Sequence, residues 1–251
     1  MPVKAPPIVA AVPYYNWSGF YIGVNAGWGW GDNDVTVAPS PDPLSQAFWN
    51  PAFAAGAAPS LFPLKQDGFF GGGQIGYNFQ AGMFVFGVEA DFQGSNIKDT
   101  LTINTAVVGF VPGFHTASQQ LDWFGTLRGR LGVAAGSALL YVTGGLAYGQ
   151  VQYGLSYNFS LSLDFQNLTA KNTEAGWTAG AGIEWGFAPN WSVKAEYLFV
   201  DLGDATFTTV GTGRPANIAT SYTANYENQY HLARLGINYR FNWAAPLMAR
   251  Y

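Results

Sequence analysis

What is scarce in this sequence bounds it first. Its 251 residues contain no cysteine, which excludes a disulfide framework, a thiol nucleophile and a thiolate metal site. Charge is short too: Asp, Glu, Lys and Arg make up 10% of the chain, where soluble domains carry about a quarter. Long apolar runs are missing as well. The longest uncharged stretch that could pass for a membrane helix, Leu131 to Gly149, holds Gly132, Gly136, Gly144, Gly145 and Gly149, and each glycine in a helix interior costs about 1 kcal/mol relative to alanine. Within it, Ala135-Gly136-Ser137-Ala138 reads as a turn between two strands.

What is present is apolar and aromatic. Hydrophobic residues are 49% and aromatics 17% of the chain, yet mean hydropathy is only +0.06, far too low for a bundle of apolar helices. Strict alternation explains both numbers, because apolar and polar residues then cancel along each strand. Period two is clearest from Phe20 to Trp30, where Phe20, Ile22, Val24, Ala26, Trp28 and Trp30 share one face. Comparable segments run from Phe69 to Phe79, Phe84 to Ser95, Leu121 to Ala134, Gly176 to Phe187, Trp191 to Val200 and His231 to Phe241. An eighth, Leu139 to Val151, is apolar on both sides and leaves its faces unassigned. Short turns at 80–83, 135–138 and 188–190 alternate with long segments at 32–68, 97–119, 152–172 and 201–229. The expected architecture is an all-β, eight-stranded antiparallel transmembrane barrel with short periplasmic turns and long extracellular loops, in the outer membrane of a Gram-negative envelope.

Ten charged residues fall inside these strands: Glu89, Asp91, Asp122, Arg128, Arg130, Glu184, Lys194, Glu196, Arg234 and Arg240. All sit opposite the aromatic face, as expected when a Lys or Arg facing mid-bilayer lipid costs about 2–4 kcal/mol. Five acids and five bases give a neutral lumen. An eight-stranded barrel is only wide enough for its own side chains, so the expected interior is a charge network, and Arg128→Ala is expected to lower the melting temperature. A narrow porin-like conduit for ions or small solutes is the alternative. The remaining charge is largely acidic, which argues against nucleic acid as a partner.

Other features read as follows. Trp17, Trp28, Trp30, Trp123, Trp177, Trp185, Trp191 and Trp243 lie near strand ends, where an aromatic girdle belongs. Phe48, Trp49, Phe53, Leu61 and Phe62 make the first long segment unusually apolar, a candidate interface for self-association or surface contact. Gly71, Gly73 and Gly76 satisfy G-x-G-x-x-G, but no helix is expected after them. His115 and His231 could serve catalysis or haem ligation, yet nothing in their spacing demands either; no enzyme activity, cofactor or metal is expected. Residues 1–16 are expected to be a proline-rich periplasmic segment able to meet peptidoglycan, 17–241 the barrel and 242–251 a tail. Met1 leads into Pro2-Val3-Lys4-Ala5-Pro6-Pro7 without an apolar core, so the export signal is expected to have been removed.

Several stretches carry a family resemblance: Asn16-Trp17-Ser18-Gly19-Phe20-Tyr21-Ile22-Gly23, Phe86-Gly87-Val88-Glu89-Ala90-Asp91, Leu121-Asp122-Trp123-Phe124-Gly125-Thr126-Leu127-Arg128-Gly129-Arg130, Tyr141-Val142-Thr143-Gly144-Gly145 and Lys194-Ala195-Glu196-Tyr197. In this order they resemble the porin-family, or outer-membrane immunogenic, barrels of alphaproteobacteria. The resemblance implies an abundant, surface-exposed envelope protein in contact with outer-membrane lipid and lipopolysaccharide, whose relatives include porin-like proteins, antigens, adhesins and haem binders. The last strand of such barrels usually ends the chain on an aromatic residue, whereas here Phe241 is followed by Asn242 to Tyr251.

Overall fold

The computed structural model describes residues 15–159, 165–210 and 220–241. The expected N-terminal segment and C-terminal tail lie almost wholly outside that range, as does Trp243. Ten strands follow in chain order: β1 Gly19–Pro39, β2 Leu61–Ala81, β3 Phe84–Thr105, β4 Gly113–Ala135, β5 Ala138–Phe159, β6 Phe165–Ala188, β7 Trp191–Asp201, β8 Ala205–Val210, β9 Ser221–Tyr226 and β10 Gln229–Arg240. Each neighbour pair is antiparallel. Ladders join β1 through β7 in sequence, β7 to β10, and β10 back to β1. Eight strands therefore close a barrel and leave no edge inside the membrane, where an unpaired backbone group would cost several kcal/mol.

The short turns fall where the sequence places them, one with Gly82 and one with Gly136 at positive φ, which glycine adopts without steric penalty. The stretch from Leu131 to Gly149 is the end of β4, this turn and the start of β5. On β5 the faces separate clearly: Leu140, Val142 and Leu146 point outward, while Leu139, Tyr141 and Thr143 are buried. No helix among the described residues is long and apolar enough to cross a membrane.

The long outer segments are a correction. They are expected as loops, but β1 to β6 all continue into them, and 201–229 contains the β8–β9 hairpin. The physical reason is a reversal of polarity. In the membrane half, apolar side chains face out; beyond it the outside is water, so Val35, Val37, Phe62, Leu64, Tyr153, Leu155, Tyr157 and Tyr226 turn inward and are at most 3% exposed. Above the membrane the wall also splits. The β2–β3 ladder stops at Asp67↔Lys98, the β6–β7 ladder stops at Trp177↔Asp201, and β8 pairs only with β9. The outer half is thus two four-stranded sheets, β8-β9-β1-β2 and β3-β4-β5-β6, facing each other over an aromatic core.

Helix α1, Pro43–Ala54, lies across the outer mouth. Asp42 caps it by accepting from the Ser45 amide at 2.8 Å, and Pro43 begins it with a preset φ. Trp49, wholly buried, packs its ring against Phe53, Tyr157 and Tyr222 with centroids 5.0–5.5 Å apart. Trp49 and Phe62, expected in an exposed interface, therefore belong to the core, and Phe53 packs against it. Only Phe48 and Leu61 of that set are exposed.

Candidate functional site in the barrel interior

The interior is built in layers from the short-turn end outward. Trp17 closes that end: it is 2% exposed and packs with Val85, Leu139 and Tyr141, its ring 4.5 Å from Tyr15. It is expected in the girdle but lies inside, because β1 begins only at Gly19 and the preceding chain is tied across the mouth by the Trp17 amide donating to Gln80 Oε1 at 2.8 Å.

Above Trp17 is the charge layer. Direct cross-strand register sets Glu89 beside Arg128, Glu196 beside Arg234 and Glu184 beside Lys194. Glu89 is the hub. Its carboxylate takes Lys194 Nζ at 2.8 Å and Arg234 Nη2 at 3.2 Å, contacts Arg128 Nη2, faces Arg130 at 3.5 Å and accepts the Tyr21 hydroxyl at 2.7 Å. Asp91 Oδ2 accepts from Arg128 and Arg234, each at 2.9 Å. Glu196 receives Arg128 Nη1 at 3.1 Å, Arg234 Nε at 2.6 Å and the Tyr141 hydroxyl at 2.9 Å. Glu184 receives Arg130 Nη2 at 2.7 Å and Asn238 Nδ2 at 2.8 Å. Arg130 also stacks over Tyr141 at 4.0 Å. Four carboxylates meet four cations, none of the eight more than 5% exposed, so the layer is neutral and each charge is compensated within hydrogen-bonding distance.

Glycine gives these long side chains their space. A Cβ on Gly76 would meet the Tyr21 hydroxyl at 2.3 Å, and one on Gly182 would meet the Tyr141 hydroxyl at 2.5 Å. The G-x-G-x-x-G run lies entirely within β2 with no helix after it.

Two expected members of the network are elsewhere. A β-bulge between Leu121 and Trp123 shifts the phase of β4. Asp122 consequently points to the outer wall, where it pairs with the half-exposed Lys171 at 2.6 Å and accepts from Gln152. Arg240 sits at the short-turn end, donating to the Pro189 carbonyl at 2.7 Å with its guanidinium 4.5 Å from the Tyr15 ring, and makes no ion pair with a described residue.

A mainly apolar layer follows outward, with Phe70 against Phe124 at 5.4 Å, Ile97, Leu121, Leu198 and Leu232 around them and the buried Gln93 amide opposite Phe124. Next comes an amide layer in which Asn33 donates to Gln66 at 2.7 Å, Gln66 to Gln119 at 3.0 Å and Gln119 to Asn228 at 2.7 Å. The aromatic core under α1 completes the stack. None of these inner residues beyond the charge layer announces itself in the sequence as one site, since the amide layer and the aromatic core come from segments read as loops and the layer below them lies at the ends of the expected strands.

On the outside, Trp28, Trp30, Trp177, Trp185 and Trp191 are 40–56% exposed, and the half-buried Trp123 stacks on Phe92 at 5.3 Å. His231 is on this outer wall, its Nδ1 2.6 Å from the Tyr197 hydroxyl and its ring stacked on Trp30. His115 is inside and wholly buried, with Nε2 3.0 Å from Thr105 Oγ1 and 3.2 Å from the Ala57 carbonyl. The two histidines thus stand on opposite faces of the wall and cannot grip one haem iron between them. No cluster of three metal-ligating side chains exists among the described residues.

Burial holds the His115 pKa below its ordinary value. A base whose folded-state pKa is depressed takes its proton more readily when released, so its stabilising contribution is complete above about pH 6.5 and is lost as pH falls below that. Its neighbours are Thr105, Ala57, Tyr157 and Phe159, with no carboxylate among them to hold an imidazolium. The protection factors of amides at residues 55–60, taken relative to intrinsic exchange at each pH, are therefore expected to fall between pH 7.5 and 5. His115→Gln should flatten that dependence, and an equal fall in the variant would count against His115 as its source.

Comparisons with known proteins add to this geometry. Residues 7–241 match the family model described as the outer membrane protein beta-barrel domain. The 31 kDa outer-membrane immunogenic protein of Brucella melitensis is 35% identical over 237 residues, spanning 94% of this chain and 88% of that protein. The 25 kDa outer-membrane immunogenic protein of Brucella abortus is 27% identical over 243 residues, 96% and 85% of the two chains. Among solved structures, the outer membrane protein OprG of Pseudomonas aeruginosa aligns with a TM-score of 0.49 at 12% identity, covering 90% of this chain and 97% of that one.

Proposed function

This chain belongs to the outer-membrane protein β-barrel family and resides in the bacterial outer membrane, and from that premise we propose that it is a non-conducting, non-enzymatic barrel that strengthens the envelope and carries a rigid platform above its surface. The observation that carries the reading is the filled interior. Four stacked layers cross the lumen, and in one of them eight charges paired with one another, four of each sign, occupy the cross-section. An ion entering would have to displace those partners, and separating a buried pair costs about 3–5 kcal/mol for each charge left alone. The mainly apolar Phe70–Phe124 layer adds a second steric barrier directly above.

The paired wall supports the mechanical half of the proposal. Closed ladders hold the membrane half, and the continuation of six strands beyond it lifts a folded platform clear of the lipid. The outer wall of that platform, rich in exposed hydroxyls such as Thr36, Thr100 and Thr206, is suited to the sugars of lipopolysaccharide around it. Planar-bilayer recording tests the sealed lumen. Quiet membranes are expected after insertion verified by heat-modifiability; steady openings of porin size would refute the reading in favour of a channel.

A further inference from the structure

One buried cation has no counterion. The bulge in β4 that turns Asp122 outward takes a carboxylate away from the lumen. The inward-facing charges of the membrane half are therefore five cations, Arg128, Arg130, Lys194, Arg234 and Arg240, against four carboxylates. The charge layer pairs four of the five. Arg240 is left over, 6% exposed, with Nε and Nη1 buried and without a hydrogen-bond partner. Glu184, bonded to Asn238 one inward position before Arg240, already has both oxygens engaged, Oε1 by Asn238 and Ser192 and Oε2 by Arg130. No other acid is at hand. The short turns and their flanks, residues 79–88, 131–142 and 186–192, contain no Asp or Glu, and neither do residues 1–21 or 240–251. A buried charge left alone costs several kcal/mol, so this guanidinium needs an anion that none of these stretches carries as a side chain.

The position of Arg240 selects the kind of anion. Its Nη2 donates to the Pro189 carbonyl in the β6–β7 turn at 2.7 Å, so the guanidinium stands at the rim of the barrel and not deep inside it. On the outer wall Trp185 and Trp191 flank that turn at 56% and 44% exposure, the interfacial position in which tryptophan marks headgroup depth. The anions abundant at that depth of a bilayer are phosphates, which Arg binds through charge-assisted hydrogen bonds from several N–H groups. The same mouth holds a neutral donor without an acceptor, the buried Trp17 indole N–H. The Trp17 ring and the Arg240 guanidinium each lie 4.5 Å from the Tyr15 ring. We propose that the periplasmic rim carries a phosphate-binding site centred on Arg240, filled by the headgroup of an inner-leaflet phospholipid or by free phosphate. The Tyr15 ring over the guanidinium is the cover that the phosphate displaces. The site depends neither on the sealed lumen nor on the outer platform.

The test uses the full chain in a phosphate-free nonionic detergent. One arm follows melting by heat-modifiability in inorganic phosphate and in chloride at equal ionic strength. The other follows lipid retention by native mass spectrometry, with phosphatidylglycerol set against a diacylglycerol of the same chains. A melting temperature that rises and saturates with phosphate identifies free phosphate as an occupant, and one phosphatidylglycerol kept in preference to diacylglycerol identifies a headgroup; either result supports the site. Arg240→Gln should weaken the responding ligand at least about tenfold, or about 1.4 kcal/mol. In chloride it should melt no lower than the parent, because it removes a charge that nothing pairs. A variant that melts lower in both salts by the same amount would mark a purely structural arginine and overturn the proposal. So would equal responses of parent and variant. A rise that stays linear in phosphate, the general effect of that salt on burial, with no lipid preference in the parent would overturn it even if the variant fails to fold.

Discussion

Replacing Glu89 with alanine is expected to lower unfolding stability by about 3–5 kcal/mol, the usual effect of removing one partner from a buried ion pair. Glu89 touches Arg128, Lys194 and Arg234 and lies near Arg130, all buried beside it. Without it four cations share three carboxylates in a space that offers no bulk water, and the Tyr21 hydroxyl loses its acceptor. Glu89→Gln keeps the volume and removes only the charge, so its loss should approach that of alanine. Removing Lys194 together with Glu89 should recover part of it, because the excess charge leaves with its partner. Urea unfolding in lipid vesicles, followed by the heat-modifiable band shift, reads all three. A loss under about 0.5 kcal/mol, the range of ordinary surface substitutions, would mean that water reaches the layer and that the lumen is not sealed.

Trp49→Ala should be nearly as severe but confined to the outer half. The indole is wholly enclosed by Phe53, Tyr157 and Tyr222, and large-to-small changes of this kind cost about 3–5 kcal/mol when the site cannot collapse. It cannot collapse readily here, because α1 is held at its start by Asp42 and beyond its end by the Ala57 contacts. The consequence is local. No ladder crosses between the two outer sheets at either seam, so α1 should lift and become open to proteinase between residues 40 and 60. The membrane half, with its closed ladders, should keep its heat-modifiable form. Cleavage at the parent's rate would show that the helix is anchored elsewhere, and loss of the band shift would show that the two halves unfold as one.

Both predictions bear on how the chain encodes its structure. The membrane half was legible because lipid enforces one rule: from Phe20 to Trp30, or Trp191 to Val200, every outward position is apolar or small, and the opposed parity collects Glu89, Arg128, Lys194 and Glu196. Strand number, short turns and family could be read from that rule together with the quoted motifs. The outer half obeys a different one. In β1 the parity never changes, yet Trp30 faces out while Val35 and Val37 face in, since the solvent outside changes from hydrocarbon to water partway along the strand. A pattern sought on one face fades there, and the continuation reads as loop.

Asp122 shows the complementary limit. Its parity matches Arg128 and Arg130, and only the bulge at Leu121/Trp123 turns it outward. Trp17 shows the same for aromatics, because a tryptophan near a strand end suits a lipid girdle or a plug equally well, and Trp49 in a long segment suits an exposed interface or a core, until the chain path across each mouth is known. By itself the sequence determined which strands cross the membrane and, for all but β5, which side meets lipid, because burying ionised groups in hydrocarbon carries so large a penalty that alternation has to record it. Which charges meet, where the wall divides and what closes its two ends were decided by tertiary structure alone, since bulges, ladder ends and packing depend on neighbours far away in the chain.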